Sequence, residues 1–293
     1  MRKLVATILT LLTCGAVYAL PIGNPSEASL FMNGAYFQGN NVDFCDPCFS
    51  WCNAWSLRVG FYGDYVFNRH MQVRLSDDDS GQDVDTTTIN TNAGYLALNF
   101  FNRVDVFTTL GATSFGIQTG GTVFGAAVGN ERAEIAFETD FSWSVGARAT
   151  LWQCGCFDLG IEGQYFQSTP DVNYIFVADG GAYSYVPDID TKYQEWQVGI
   201  GVSYRFATSC PTVALIPYAG VKWAGSRWSF SPSSVTVIGS DGDIAFNLPN
   251  LQSAKLWGYA IGMTFELCDV IGVNVEGRFG DEKALSVLGQ FRF

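Results

Sequence analysis

The 293-residue chain contains one histidine, His70. A catalytic constellation built on imidazole therefore has a single centre to choose, and a Cys/His zinc site a single nitrogen ligand. Basic residues are scarce: 16 Lys and Arg face 28 Asp and Glu, a formal charge of −12. Nucleic-acid binding needs clustered cations against phosphate, and this balance argues against it. After the first 19 residues no apolar run approaches the ~20 residues that a membrane-spanning helix needs. No glycine-rich phosphate loop followed by Lys and Ser or Thr occurs. Pairs such as Gly199-Ile-Gly201 have strand spacing and read as packing. No cofactor is expected.

The N-terminus, MRKLVATILTLLTCGAVYA, places Arg2 and Lys3 before an apolar stretch from Leu4 to Leu12 and ends in Val17-Tyr18-Ala19. This is the pattern of a secretory leader over residues 1–19, cut after Ala19. Cys14 offers a lipoprotein alternative, for which the preceding Thr13 is a poor fit. The leader removes two cations, so the exported part is more acidic still.

Period-2 alternation dominates the remainder. In 194–206 the even positions are Trp196, Val198, Ile200, Val202, Tyr204 and Phe206, while the odd ones are Glu195, Gln197, Gly199, Gly201, Ser203 and Arg205. Side chains two apart share one face of a strand, so one face is apolar and the other polar or glycine. Segments 57–67, 141–151, 257–267 and 271–279 repeat the pattern. A soluble sandwich or lipocalin-like barrel would bury the apolar face. Against that, the polar faces mix charges with glycine, as in a wet lumen, and the apolar faces end in Trp, Tyr and Phe, as in a membrane-interface girdle. Backbone groups in lipid are all satisfied only when such a sheet closes. The expected fold is all-β: an antiparallel transmembrane β-barrel in the bacterial outer membrane, with outer-membrane lipid around it.

Strands are expected near 55–67, 88–101, 104–116, 140–152, 157–167, 193–206, 213–224, 254–267, 270–279 and 284–293. Weaker alternation at 122–128, 133–138, 172–177, 183–186, 235–238 and 244–248 raises the expected total from ten to 12–16, and 30–38 is a further candidate. Short connectors at 102–103, 153–156, 207–212 and 268–269 alternate with long ones at 77–87, 117–139, 168–192 and 225–253. Bacterial barrels carry short periplasmic turns and longer outer loops. The expected organisation is a leader at 1–19, an N-terminal Cys-rich segment at 20–54 and a barrel at 55–293.

The motif DFCDPCFSWCNAW (43–55) holds Cys45, Cys48 and Cys52; Cys154, Cys156, Cys210 and Cys268 fall in short turns. All seven then map to the periplasmic rim, unless a strand at 30–38 reverses the count for the first three. Cys-x2-Cys reads as zinc or redox chemistry in a cytosolic chain, but no metal site is expected with one histidine and no visible βαβ unit. In an exported chain the default is disulfide, and an odd count leaves one thiol free or bonded to another molecule. His70, with Asp77, Asp78 and Asp79 within reach, is the only candidate for a barrel hydrolase, and the acidic run reads more simply as a solvated loop. No enzyme is expected.

The stretches DFCDPCFSWCNAWSLRVGFYGDYVFNR (43–69), LPIGNPSEASL (20–30), WSVGARATLWQCGCFDLGIEGQYFQSTPDV (143–172), EWQVGIGVSYRF (195–206), IPYAGVKW (216–223) and GQFRF (289–293) resemble, in order, the chlamydial major outer membrane protein family. The resemblance implies a homotrimeric porin that passes small solutes and is disulfide-crosslinked to cysteine-rich envelope proteins. It also implies that the last strand, ending in Phe293, is the signal read by the barrel-assembly machinery. The chain is shorter than well-known members, chiefly in its loops, so adhesive or antigenic roles of those loops are not carried over.

On the polar strand faces the candidate pore-lining charges are Arg58, Arg148, Arg205, Lys222, Arg278 and Arg292 against Asp64, Glu162, Glu195, Glu266 and Glu276. Near-balance predicts weak ion selectivity. Loop acids Asp77, Asp78, Asp79, Asp83, Asp85, Asp241 and Asp243 would concentrate cations at the mouth, an effect screened by salt. The alternatives are internal ion pairs that only stiffen the wall, and an envelope barrel that does not conduct.

Overall fold

The computed structural model describes residues 20–31, 54–74, 81–124, 132–177, 182–184, 189–207, 212–239 and 242–293. Its wall consists of β1 (Trp55–Arg69), β2 (Thr86–Phe100), β3 (Val104–Gly120), β4 (Asp140–Cys154), β5 (Phe157–Ser168), β6 (Asp190–Tyr204), β7 (Val213–Ser231), β8 (Trp257–Leu267), β9 (Ile271–Phe279) and β10 (Glu282–Arg292). Each pairs antiparallel with its sequence neighbours, and β1 pairs with β10, for example Tyr62 opposite Leu288. The result is a closed ten-strand up-and-down barrel without a free wall edge.

All ten strands expected from the alternation are present, but the ring closes at ten rather than 12–16. The reason lies in the register. β3 pairs directly with β4 from Val104 opposite Ala149 to Thr113 opposite Asp140, which leaves no wall position for an inserted hairpin. The loop segments Arg132–Phe137, Val172–Val177 and Ala182–Ser184 instead extend the sheet beyond the rim. Ser234–Gly239 pairs with Gly242–Asn247 as a separate hairpin. A loop hairpin that buries one face carries the same period as a wall strand. The ring also closes without 30–38: Leu30 ends the single helical turn α1 (Glu27–Leu30), and residues 32–38 lie outside the described residues.

Outward faces carry the apolar set. Phe61, Leu110, Val198, Val202, Ile261 and Val273 are exposed, with Trp55, Trp152, Phe157 and Phe291 toward the short-turn end and Phe67, Phe141 and Trp257 toward the other. At the long-loop end an apolar layer fills the barrel mouth. Phe115, Phe137 and Tyr193 pack around the fully buried Trp228 at centroid distances of 5.2, 4.7 and 5.4 Å. Two short turns place consecutive non-glycine residues at positive φ, Phe101-Asn102 (55° and 52°) and Cys268-Asp269 (56° and 54°). That pair of angles is the type I′ geometry favoured by two-residue hairpins.

Candidate functional site

The barrel interior is occupied. Residues 20–31 run along it from beneath the aromatic layer to the short-turn rim, and each step is met by inward side chains of different strands. The Leu20 carbonyl accepts from Lys222 Nζ on β7, and the Pro21 carbonyl from Gln197 Nε2 at 2.6 Å. The Ile22 and Gly23 amides donate to the Glu276 carboxylate at 3.0 and 2.9 Å. Asn24 Nδ2 donates to Thr264, and Arg58 and Asn99 donate to the carbonyls of Glu27 and Ala28. Phe31 reaches the rim, where the Arg58 guanidinium lies 5.4 Å from its ring centroid. Satisfying a segment's backbone amides and carbonyls with wall side chains is what a buried non-helical stretch requires.

Glycine makes the room. A Cβ on Gly160 would lie 2.1 Å from the Pro25 carbonyl oxygen, and one on Gly272 would lie 2.3 Å from the Phe31 ring. Gly160, Gly199, Gly201, Gly220 and Gly272 therefore clear a path for residues 20–31, while Gly146 and Gly262 make room for the Phe107 and Tyr218 rings, in place of the wet lumen that their alternation with charged residues suggested.

The eleven charged residues expected on the polar faces all belong to this interior, ten of them almost fully buried. Arg58 pairs with Asp105, and Arg278 with Asp64 and, at 3.3 Å, with Glu282. Arg148 lies 3.0 Å from Glu162 and 3.8 Å from Glu27, with its guanidinium 4.6 Å from the Phe107 ring centroid. Glu195 lies 3.1 Å from Arg69, and Arg292 donates to Asn102 at 2.7 Å. Arg205 is the exception, 36% exposed at the rim and paired with Glu266 at 2.6 Å. Beside Gly23, Tyr62, Tyr95, Arg148 and Gln164 border a cavity of about 20 Å³, room for a single water. Asp105, Arg69, Asp281 and Glu282 complete the network and were not among the expected residues. Asp105 alternates in phase with the polar face of β3, a signal that was available. Arg69 and Glu282 lie just beyond the strand limits expected from the pattern.

Cys154 and Cys156 flank the turn at Gly155 and Cys268 lies in the next short turn but one; all three are exposed thiols without a disulfide. Cys45, Cys48, Cys52 and Cys210 lie outside the described residues, as do Asp77, Asp78, Asp79 and Asp241. Both flanks of the 32–53 stretch, Phe31 and Ala54, sit at the short-turn end; Ala54 accepts from Phe101 in the first turn at 2.7 Å. His70 lies between strands at the opposite end. Burial and the nearby Lys255 and Lys283 hold its pKa below the ordinary histidine range, against Asp83.

A family model for the Chlamydia major outer membrane protein matches residues 1–80 and 76–186. The major outer membrane porin of Chlamydia trachomatis serovar L3 is 32% identical over 405 residues, with all of both chains covered. The chain belongs to this family. The Chlamydia psittaci porin is 30% identical over 400 residues, again covering both chains fully. These alignments are longer than the 293 residues present, so the porins carry additional segments. Membership places this family member in the bacterial outer membrane, in contact with its lipid. Among solved structures, the β domain of the Bordetella autotransporter BrkA superposes with a TM-score of 0.44 at 11% identity, covering 82% of this chain and 99% of that one. The Escherichia coli outer membrane protease OmpT gives 0.42 at 13%, covering 81% and 97%. The barrel assignment itself rests on the strand pairing described above.

Proposed function

We propose that the chain is a non-enzymatic outer-membrane porin that passes small hydrophilic solutes and ions along the barrel axis. In the state described, residues 20–31 and the aromatic layer above them close that axis. The observation that carries the reading is the way the interior is held: inward polar side chains of several strands grip a separate segment through hydrogen bonds, and apolar packing is confined to its two ends, Leu20 and Leu30-Phe31, and to Ile22. Such a segment leaves behind a lumen lined by Arg58, Asp64, Arg148, Glu162, Glu195, Arg205, Lys222, Glu266, Glu276, Arg278 and Arg292. The near-balance of these charges implies weak selectivity. The reading includes a cleaved leader at 1–19, a homotrimer, a C-terminal assembly strand, and a structural role in which rim cysteines crosslink the barrel to itself or to cysteine-rich envelope proteins.

The tight filling of the interior favours a second reading, a structural envelope barrel that does not conduct. Planar-bilayer recording separates the two. The full chain is expected to give infrequent openings, and a folded variant lacking 20–31 openings that are more frequent and longer. If neither chain forms channels although both migrate as folded barrels, the porin reading fails and the structural one stands.

A further inference from the structure

We infer that the barrel interior contains a binding site for a primary ammonium, and that its occupant is the chain's own processed N-terminus, the α-amine of Leu20. The Leu20 backbone nitrogen lies 3.5 Å from Glu195 Oε1, long for an amide hydrogen bond but within ion-pair distance. Its carbonyl is fixed by Lys222 and its side chain, 5% exposed, is tucked into the apolar layer with Tyr193 and Trp228. The surroundings hold more acidic groups than basic ones. Asp64, Glu195, Glu276, Asp281 and Glu282 are five buried carboxylates, and Arg69, Arg278 and Lys222 supply three cations. An internal amide at Leu20 adds no countercharge, whereas a free α-ammonium adds one 3.5 Å from Glu195. A buried carboxylate without a countercharge is costly, so the site favours the cleaved chain.

The covalent step is hydrolysis of the Ala19–Leu20 peptide bond by a leader peptidase. Water supplies the hydroxyl that completes the Ala19 carboxyl and a proton to the Leu20 nitrogen, and the new amine takes up a further proton from solvent at neutral pH. The inference rests on the leader expected from the sequence and not on conduction, so it can fail while the porin reading stands.

Amine labelling tests it. The mature protein, purified folded in detergent, is treated with an N-hydroxysuccinimide ester and mapped by peptide mass spectrometry. The Leu20 amine is expected to label about tenfold or more slowly in the folded barrel than in denaturant. The exposed Lys192, Lys255 and Lys283 serve as reactive controls. E195Q is expected to abolish that protection. Should E195Q fail to fold, a chain with Gly-Gly inserted between Ala19 and Leu20 leaves the wall intact and displaces the ammonium, with the same loss expected. A Leu20 amine that labels as fast as Lys255 in the folded protein overturns the inference, as does a mature chain that begins at another residue.

Discussion

Arg69 shows how the interior is held residue by residue. Its guanidinium is fully buried and lies 3.1 to 3.2 Å from Glu195, Asp281 and Glu282. A buried ion pair contributes little net stability over an apolar substitute, but removing one partner strands the other. Here one cation serves three carboxylates on two strands and a turn. R69A is therefore expected to destabilise the barrel by about 3–5 kcal/mol, read from denaturant unfolding in lipid vesicles. A loss below about 1 kcal/mol, the level of a surface pair, would show that water enters this part of the interior. Nothing in local sequence marks Arg69 out: it sits at the end of β1 beside His70, and only the ring brings β6 and β10 to it.

Strands are the elements in which sequence and structure agree most closely, because period-2 alternation is fixed by the backbone itself. Along β6, Glu195 and Gln197 are buried while Trp196, Val198 and Ile200 are exposed, as the even and odd positions required. V198K, at the middle of this lipid-facing run, is expected to cost about 2–4 kcal/mol in vesicle unfolding, and the same change near a rim far less. Equal costs at both depths would contradict the membrane orientation of the wall. Two things were not legible. The strand number was overestimated because loop hairpins share the wall's period. The role of 20–31 was missed because LPIGNPSEASL has no periodicity of its own; its partners, Lys222, Glu276 and Arg58, are distant in sequence and adjacent only once the ring closes. The inward glycines were visible, but an empty lumen and an occupied one ask for the same small residues.

At the scale of the whole molecule, chemistry is divided between the two ends. The long-loop end is closed by aromatic packing, and the short-turn end exposes Cys154, Cys156 and Cys268, with the chain on either side of Cys45, Cys48 and Cys52 anchored at the same rim. The three described thiols, exposed at one rim of an outer-membrane barrel, suit bonding to neighbours in the plane of the membrane. Envelopes alkylated at lysis and run without reductant are expected to give a ladder of oligomers that collapses to monomer on reduction, and the triple variant C154S/C156S/C268S a shortened ladder. Seven titratable thiols in freshly isolated envelopes would rule the crosslinks out.

The contacts of residues 20–31 also bear on the order of assembly. The Ile22 amide and the Glu276 carboxylate are 254 residues apart in sequence. The seam between β1 and β10 joins the first wall strand to the last. Synthesis delivers the occupant of the barrel first and the strand that shuts the ring last. Contacts this remote carry the largest loop-closure entropy and form late. The ring must therefore either zip shut around a captured N-terminal tail or admit it through an open rim, and the seam is the step at which the two routes part.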